Sequence, residues 1–597
     1  MIDYCKVMIE SPLPQLGREF DYLIPEGMSL EVGQPVLVPF GRQAKQKTGV
    51  VTELNKTSEY ATASVGESLG PKILSSGFID FIKTVAKRQA TTPGELLRIS
   101  FTSKPKRKQD FIELAPSAPE WVVENLGSLE LDGHQADIVE PKQHLITGSL
   151  HPEWAIRTLR SALSADGSVI INLPDHRHIR RFRKLVSALD IESSLLWADE
   201  YKTPAKRYWL QQHLLKNGGL LVGSRSVLTM DIKDLSRIVL VNDLDPSHDS
   251  ESSPYLPTRE LAFIRGEAQS SLVHIISHLP SAEILRLAEL NFLKLEIDRG
   301  VPRISFGSEA QISTQKLISE AIKSGPVLIL TSFAGDSATI RCKRCRGAGT
   351  CANCGGSIHM PSTETYRCRR CSSMEKPVCI SCGGQEFEKG NKGATRSAAD
   401  FGKIIPGARV IESSQQKQVE TISGKPLVVA TPGAIPDSDN GYVLAVVDQP
   451  QSFLSRESLR ALEHSIRIWT DAASHLAPGG QLHFANYQGE VVKKLSIGQS
   501  GELIRSESEQ RKSLGLSPWK RLGIVEGEPS RLNSVAESLS SSARVISTNP
   551  RLVFSYQYKD GPKVAEILTR EQLATPPIEG ERRKRGLKVI MDGQGLI

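Results

Sequence analysis

Residues Cys342–Cys382 read CKRCRGAGTCANCGGSIHMPSTETYRCRRCSSMEKPVCISC and contain eight of the chain's nine cysteines. The eight form four Cys-x-x-Cys pairs, and each pair can present two thiolates to one metal ion from a tight turn. Because two pairs complete a tetrahedral shell of four sulfurs, the spacing predicts two Zn²⁺ ions per chain. An iron–sulfur cluster is the alternative that the ligand type leaves open. A disulfide cluster is disfavoured, because no secretory signal is expected ahead of it.

Two arrangements of the four pairs satisfy the ligand count. Sequential pairing joins neighbours along the chain, whereas nested pairing joins the two inner pairs and the two outer pairs. We favour nesting, because an inner hairpin would bring the outer pairs together. Nesting predicts one zinc site from Cys342, Cys345, Cys379 and Cys382, and a second from Cys351, Cys354, Cys368 and Cys371.

The overall composition is that of an ordinary soluble chain of several domains. Of 597 residues, 39% are hydrophobic and 24% are charged, and no apolar run approaches the ~20 residues of a membrane span. The beginning, MIDYCKVMIESPLPQ, has no apolar core segment, so we expect a cytoplasmic protein without membrane contact. The net charge of +7 permits a polyanionic partner without requiring one.

The hydrophobic pattern changes several times along the chain. Residues 1–55 alternate short β-rich runs with Pro and Gly turns, which is typical of a small β-sheet domain. From His144, buried apolar runs alternate with amphipathic helices, and a second such series begins at Pro326. This rhythm predicts two parallel sheets covered by helices, with the cysteine segment inserted in the second. A small α+β domain is expected at the end of the chain.

Two parallel sheets in tandem suit a helicase-type motor, which needs a Gly-rich phosphate loop with Lys and Ser/Thr, followed by acidic residues at a strand end. The predicted loop, Leu145–Trp154, reads LITGSLHPEW, so His151 and Pro152 stand at the Lys and Ser/Thr positions. The predicted acidic strand end, RIVLVNDLD, keeps Asp243 and Asp245.

Several motifs resemble those of the primosomal replication restart helicases of the PriA family. They are SPLPQLGREFDYLIPEGM (11–28), VLVPFGRQ (36–43), GSRSVL (223–228), PYLPTRELAFIRG (254–266), the cysteine segment and LGLSPW (514–519). The resemblance runs nearly from end to end. It implies a multidomain α/β protein with an N-terminal β-rich DNA-binding domain, two RecA-like parallel-sheet lobes, an inserted two-zinc module of eight cysteines and a C-terminal α+β domain.

The resemblance also implies domain boundaries and a DNA site. The expected domains are a 3′-DNA-binding domain (1–103), a linker or reduced winged-helix region (104–140), a first helicase lobe (141–305), a second lobe (306–487) with the zinc module at 341–388, and a C-terminal domain (488–597). The pocket for a DNA 3′ end is expected to involve Phe20, Asp21, Tyr22, Gly41 and Arg42.

The chain departs from the family pattern at its motor motifs. The pattern TGSGKTE is TGSLHPE here, and ungapped counting places Val241 and Asn242 on the metal-binding Asp and catalytic Glu. The family's arginine finger falls on residues 473–480, which contain no arginine. We therefore expect a degenerate nucleotide site and a pseudo-helicase that is not an enzyme and does not hydrolyse ATP. The residues of that site are Gly148, Ser149, His151, Asn242 and Asp243.

The leading functional hypothesis is a replication restart protein that binds abandoned or stalled forks and promotes loading of the replicative helicase. The expected partners are forked DNA with a 3′ end, the replicative helicase and its loader, single-strand-binding protein and other primosome proteins, in the cytoplasm at the nucleoid. Two alternatives remain: an active ATP-dependent 3′→5′ DNA helicase, and a zinc-folded scaffold that contacts only proteins.

Overall fold

The structure, a computed structural model, divides into two compact units. The first comprises Met1–Ile138, Trp154–Ile297 and Ile504–Ile597, and the second Val139–Glu153 and Asp298–Leu503. No helix among the residues covered is both long and apolar enough to cross a bilayer. The structure describes all residues except 1–3, 12, 14–15, 42, 103–121, 123–125, 251, 299, 307–312, 333–339, 345–348, 350, 352–357, 360–365, 369–372, 375, 380–381, 390–397, 400, 404, 455–457, 549–550, 575–586 and 593–597.

The N-terminal part of the first unit is an antiparallel sheet with the strand order β2-β1-β4-β3-β5. Alternate residues such as Val36 and Val38 are fully buried, so one face of the sheet forms a core. Two helices follow, capped by Ser75 and Thr92, whose hydroxyls accept backbone N–H groups of the first turn. The elements are β1 Tyr4–Ile9, β2 Glu19–Leu23, β3 Pro35–Phe40, β4 Lys45–Asn55, β5 Glu67–Ser68, α1 Ser76–Arg88 and α2 Pro93–Ser100.

The first unit also contains a seven-stranded parallel sheet with the order β10-β11-β9-β12-β13-β6-β14. Its central strands are buried along their length, as expected for a sheet with helices on both faces. The strands are β6 Gln135–Ile138, β9 Ser168–Asn172, β10 Leu195–Trp197, β11 Leu220–Gly223, β12 Leu235–Val241, β13 Leu272–Ser277 and β14 Lys294–Ile297. The helices are α3 Glu153–Leu163, α4 His176–Ala188, α5 Pro204–Asn217, α6 Thr258–Gln269 and α7 Ala282–Glu289.

The second unit contains a six-stranded parallel sheet with the order β15-β26-β25-β16-β23-β21, and a hairpin of β7 Gln143–Ile146 and β8 Ser149–Pro152. The sheet strands are β15 Arg303–Phe306, β16 Val327–Leu330, β21 Val410–Ser413, β23 Leu427–Ala430, β25 Tyr442–Val447 and β26 Leu476–Phe484, and a small pair is β22 Thr421–Ile422 with β24 Asp437–Ser438. The helices are α8 Thr314–Ala321, α9 Pro450–Leu454, α10 Ala461–Ala473 and α11 Glu490–Ser496.

The cysteine segment contributes short strands between β16 and β21, namely β17 Ile340–Cys342, β18 Ile358–His359, β19 Arg367–Cys368 and β20 Phe387–Lys389. The last part of the chain forms an antiparallel sheet with the order β28-β29-β27-β30. Its elements are α12 Ser500–Leu514, β27 Arg521–Glu526, α13 Pro529–Leu539, β28 Arg544–Ser547, β29 Leu552–Tyr556, α14 Gly561–Ala574 and β30 Lys588–Met591. The predicted multidomain α/β class with two parallel sheets is therefore confirmed.

One predicted strand is placed differently in the structure. Residues 144–148, HLITG, were expected to form the first strand of the first parallel sheet, but His144–Ile146 belong to the antiparallel hairpin β7–β8. The sheet strand that precedes α3 is β6, which lies inside the stretch expected to be a linker. Its sequence QADI does not predict a strand, because Gln135 and Asp137 are polar, yet both are buried and the Gln135 amide donates to the Asp137 carboxylate at 2.6 Å.

Candidate metal centre and nucleic-acid interface

The structure brings three of the predicted outer ligands together. The sulfurs of Cys342, Cys379 and Cys382 all lie within 4.8 Å of one another, and those of Cys342 and Cys382 are 3.5 Å apart. Four thiolates at ~2.3 Å from one zinc ion stand about 3.8 Å from each other, so this spacing suits a shared metal. A disulfide would need a sulfur separation of ~2.05 Å. The three thiols could therefore hold a metal ion together.

The local backbone explains why these thiols converge. Strand β17 ends on Cys342 and pairs antiparallel with β20, where Cys342 stands opposite Phe387. The Gly383 N–H donates to the Cys379 carbonyl at 2.8 Å, and Gly383, directly after Cys382, has a φ of +70° that suits glycine. A Cβ on Gly384 would come within 3.0 Å of the Cys342 sulfur, so a side chain there would crowd the site. Cys345, the fourth predicted ligand, lies outside the residues described.

The predicted inner site is only partly described. Cys351 and Cys368 are buried beside Ile340, Ile358 and Phe387 in one small core. Cys368 stands opposite Ile358 in the antiparallel pair β18–β19, which lies between the outer cysteines in the chain. Their expected partners, Cys354 and Cys371, fall outside the described residues. The inner zinc site and the nested pairing accordingly remain predictions.

The predicted DNA pocket centres on strand β2. Phe20 packs against Phe40 in an edge-to-face contact with ring centroids 4.9 Å apart, and the Arg18 guanidinium lies 5.0 Å from the Phe20 ring. Tyr22 is buried, and its hydroxyl donates to the Pro39 carbonyl at 3.1 Å. These contacts fix β2 against the end of β3.

Asp21 lies on the opposite face of β2 from Phe20 and Tyr22, where its register partner on β1 is Lys6. The pKa of Lys6 is raised, chiefly by its hydrogen bond to Glu53 and further by Glu19 and Asp21, so this face of the sheet carries both signs of charge. Gly41 begins the exposed turn after β3 with a φ of +74°, and Arg42 lies outside the described residues. The sequence did not single out Arg18 or Phe40, although both sit within the quoted motifs.

The predicted phosphate loop forms the tip and second strand of the β7–β8 hairpin. Thr147 and Gly148 have φ angles of +47° and +83°, and both are exposed at the two-residue turn. His151 is fully buried, and its Nε2 lies 2.7 Å from the Ser149 Oγ. The hairpin is fixed within the second unit by the Gln143 side chain, which donates to the Leu476 carbonyl at 2.8 Å.

The remaining members of the predicted nucleotide site follow β12 in the first unit. Asn242 has a φ of +53°, and its Nδ2 lies 3.3 Å from the His178 Nε2. Asp243 is almost completely buried and receives hydrogen bonds from the Arg259 guanidinium at 2.9 Å and the Ser281 hydroxyl at 2.7 Å. The Asp243 carboxylate therefore forms a buried ion pair with Arg259 at the carboxyl edge of the sheet.

Two motifs that were noted separately in the sequence are joined by one buried arginine. Arg265, from the 254–266 motif, donates to the carbonyls of Leu228 at 2.8 Å and Met230 at 2.7 Å, at the end of the 223–228 motif. Its guanidinium also lies 5.0 Å from the Phe78 ring of α1. Burial lowers the pKa of Arg265 to about 10. The N-terminal part and the first parallel sheet are thus tied together through this side chain.

Acidification is expected to weaken the first unit through His248. This imidazole is fully buried, its Nε2 donates to the Val241 carbonyl at 2.8 Å, and burial lowers its pKa below the usual ~6.5 despite the nearby Asp245 and Asp243. Below pH ~6.5 the His248 imidazole is protonated in the unfolded chain, whereas in the folded protein it stays neutral until the pH falls to its lowered pKa. The unfolding free energy should therefore have its full value above pH ~6.5. It should decrease as the pH drops toward the folded-state pKa of His248, by up to ~1.4 kcal/mol per pH unit.

Urea unfolding at pH 7.5 and pH 5.5 measures this dependence. His248→Gln, which retains an N–H donor, should show a smaller loss between the two pH values than the wild type. The exposed His176 supplies the control, and His176→Gln should lose as much stability as the wild type. An unchanged pH dependence in His248→Gln would contradict the assignment.

The family comparison matches residues 6–101 with the PriA 3′DNA-binding domain (3'BD). The range coincides with the N-terminal sheet, α1 and α2. Over 579 residues the chain is 26% identical to the probable replication restart protein PriA of Mycobacterium tuberculosis strain CDC 1551 / Oshkosh, a match that covers 88% of this chain and 87% of that protein. The replication restart protein PriA of Rickettsia felis is 21% identical with the same coverage. The resemblance to the PriA family is thus confirmed over most of the chain.

Two solved structures are similar to this chain at low identity. The E. coli DEAH/RHA helicase HrpB matches over 78% of this chain and 51% of its own, at 12% identity and a TM-score of 0.34. The DUF1998 helicase MrfA bound to DNA matches over 63% of this chain and 47% of its own, at 10% identity and a TM-score of 0.30.

The prediction that the chain is not an enzyme is contradicted by these comparisons. The relatives that match it along 88% of its length are replication restart proteins, so the comparisons give no ground for treating this chain as a non-enzyme. The substitutions at the motor motifs were weighed as lost catalytic groups, but a changed motif does not by itself demonstrate lost activity. The inference of a pseudo-helicase is therefore withdrawn.

Proposed function

We propose that this relative of the PriA replication restart proteins recognises the 3′ end of DNA at abandoned or stalled replication forks and promotes loading of the replicative helicase. The observation that carries the proposal is the match of residues 6–101 to a 3′DNA-binding domain, within a chain similar to restart proteins along most of its length. Such a protein would act on the chromosome in the cytoplasm, together with the helicase loader, single-strand-binding protein and other primosome proteins.

The proposed DNA contacts follow from the chemistry of β2 and the turn after β3. The carboxylate of Asp21 can accept a hydrogen bond from a terminal 3′-hydroxyl or a base amino group. Phe20, on the opposite face of this edge strand from Asp21, is partly exposed and offers an aromatic surface on which a second base of the same DNA end can stack. Gly41, together with Arg42 beyond it, would let the backbone of the turn approach the DNA closely.

The proposed cofactors are two Zn²⁺ ions per chain in the nested arrangement. The convergence of Cys342, Cys379 and Cys382 supports the outer site. Zinc at both sites would fold the cysteine segment, since so short a stretch has little core of its own. The folded module would present its basic residues to a duplex arm or a protein partner.

A fork-binding titration tests the DNA proposal. Fluorescence anisotropy would compare a fork with a 3′-hydroxyl at the leading-strand end and the same fork with a 3′-phosphate. We expect the wild type to prefer the hydroxyl about tenfold, corresponding to ~1.4 kcal/mol for one hydrogen bond to a charged group. Asp21→Asn should lose most of this preference, because the neutral amide oxygen accepts a weaker hydrogen bond and no longer repels a 3′-phosphate.

The matched control is Glu53→Gln, which removes an exposed carboxylate from β4 of the same sheet, where Glu53 forms an ion pair with Lys6. It should retain the tenfold preference. A wild type that binds both forks equally, or a Glu53→Gln variant that loses the preference together with Asp21→Asn, would contradict the proposed pocket. A fork-binding affinity that does not change with salt concentration would favour the scaffold that contacts only proteins.

ATP-driven 3′→5′ unwinding is a second candidate function, favoured by the two parallel-sheet lobes and by the comparisons. DNA-stimulated phosphate release by the purified wild type tests it directly. Loss of that turnover in His151→Ala would assign the β7–β8 hairpin to nucleotide handling, and absence of turnover in the wild type would reject unwinding.

A further inference from the structure

A cavity of about 640 Å³ lies in the first unit between the segment that precedes α1, helix α5 and the residues that precede β12. Three lysines line it, one from each of these segments: Lys72, Lys216 and Lys233. Asp234 is the acidic side chain in the lining, so the formal charge is three minus one, or +2. The cavity thus offers a net positive environment of a size typical of ligand sites.

The polar groups of the cavity suit an oxyanion. Lys216 and Lys233 are exposed at its rim, and Lys233 is 3.6 Å from Asp234 in a pair whose members are both largely solvated. Gln212 also lines the cavity, and its Nε2 is buried with no hydrogen-bond partner among the residues described. A buried amide N–H without an acceptor is costly, and an anion in the cavity would supply the missing acceptor. Gly77 adds the first turn of α1, where N–H groups lack intrahelical acceptors.

The cavity lies at a different edge of the parallel sheet from the one at which nucleotides usually bind. Lys233 and Asp234 directly precede β12, so the cavity lies at the amino end of that strand. Asp243 follows the carboxyl end of β12, and nucleotides bind outside the carboxyl ends in such sheets. Any ligand in the cavity would accordingly be bound at the other edge of the sheet.

We propose that this cavity is a phosphate-binding site that joins the 3′DNA-binding domain to the first parallel sheet. Lys72 belongs to the segment matched to that domain, whereas Gln212, Lys216 and Lys233 belong to the sheet and its helices. A phosphate held by both sides would fix the two parts against each other. The phosphate can come from the DNA backbone, a source that rests on the proposed function, or from a free phosphate ion.

Two measurements on the full-length protein distinguish the sources. The first is the salt dependence of fork binding, measured on forks with a 3′-hydroxyl and with a 3′-phosphate. The variant Lys72→Ala/Lys216→Ala should weaken binding to both forks equally and reduce the slope of log K against log salt by about one to two, because each lost phosphate contact removes ~0.9. The second is protection by inorganic phosphate against thermal unfolding at constant ionic strength.

Matched variants control for charge and for folding. Lys87→Ala/Lys206→Ala removes two exposed lysines from α1 and α5 outside the cavity and should leave the slope and the phosphate protection as in the wild type. Gln212→Glu, which places a carboxylate in the cavity at nearly unchanged volume, should reproduce the loss of Lys72→Ala/Lys216→Ala. Far-UV circular dichroism at 25 °C confirms that each variant is folded before it is compared.

The outcomes separate this proposal from the one on function. A reduced slope on both forks identifies the DNA backbone as the source, even if the 3′-hydroxyl preference is absent. Loss of phosphate protection alone identifies a free phosphate ion. If Lys72→Ala/Lys216→Ala and Gln212→Glu match Lys87→Ala/Lys206→Ala in both measurements, the cavity is not a phosphate site, whatever the 3′-end preference proves to be.

Discussion

Replacing Arg259 with alanine is expected to lower the unfolding free energy of the first unit by about 3–5 kcal/mol. The guanidinium donates to the Asp243 carboxylate at 2.9 Å and lies 3.5 Å from Glu283. The Arg259 side chain is 5% exposed and that of Asp243 is fully buried, so solvent cannot replace the lost partner. The variant leaves the Asp243 carboxylate in the interior without its guanidinium partner, although the Ser277 and Ser281 hydroxyls still donate to it, and the desolvation of this charge dominates the loss.

Urea unfolding followed by tryptophan fluorescence measures the effect. Arg88→Ala is the control, because its ion pair with Glu267 has side chains that are 39% and 68% exposed, and such pairs contribute ~0–1 kcal/mol. The double variant Arg259→Met/Asp243→Leu removes both charges and should be more stable than Arg259→Ala. A double variant as unstable as the sum of its two single changes would show that the two side chains act independently.

The same ion pair shows what the sequence could reveal about this region. The apolar run RIVLV before Asn242 predicted strand β12 correctly, and Asp243 was noted as an acidic residue at its end. The partner, Arg259, lies 16 positions further along the chain on α6. A local sequence pattern does not predict a contact between residues so far apart. From the sequence, an acidic residue at a strand end was predicted to belong to a nucleotide site. In the structure, the charge of this residue is neutralised by an arginine.

Strand prediction succeeded where strands are continuously apolar. Buried runs such as VIIN in β9 and LVVA in β23 have few polar positions, and both parallel sheets followed from them. It failed for β6, where Asp137 is buried beside His274 at 3.2 Å and Arg157 at 3.4 Å. A polar residue at this position in the sequence predicts a loop. The structure has a strand instead, because residues distant in the chain provide ionic and hydrogen-bonding partners for the buried carboxylate.

The cysteine segment was the most predictable site, because its spacing alone specifies ligand geometry. Four Cys-x-x-Cys pairs fix the number of thiolates, and the structure brings Cys342, Cys379 and Cys382 together across 40 residues. The grouping of the pairs was not fixed by the spacing, since both arrangements use the same turns. The cavity at Lys72 and Lys216 gave no sequence signal, because single lysines in separate segments look like ordinary solvated charges.

Alanine variants of the cysteines are expected to remove zinc ions in a pattern that reveals the pairing. If the wild type holds two zinc ions per chain, Cys342→Ala should hold one after dialysis against a chelator, since losing one of four thiolates weakens a structural site whose full apparent binding energy is ~10–16 kcal/mol. Nested pairing puts Cys342 and Cys379 on the same ion, so Cys342→Ala/Cys379→Ala should also hold one. Cys342→Ala/Cys368→Ala should then hold none.

Zinc content by elemental analysis, with iron measured on the same samples, decides between the arrangements. Sequential pairing puts Cys342 with Cys351 and Cys368 with Cys379, so it predicts no zinc in Cys342→Ala/Cys379→Ala. Cys5→Ala is the control, because Cys5 is buried in the N-terminal sheet, where burial raises the pKa of its thiol to about 12, and this variant should keep both ions. Iron in place of zinc would contradict the metal assignment, whereas a single zinc in Cys342→Ala/Cys379→Ala would establish that the outer pairs close one site around the inner hairpin.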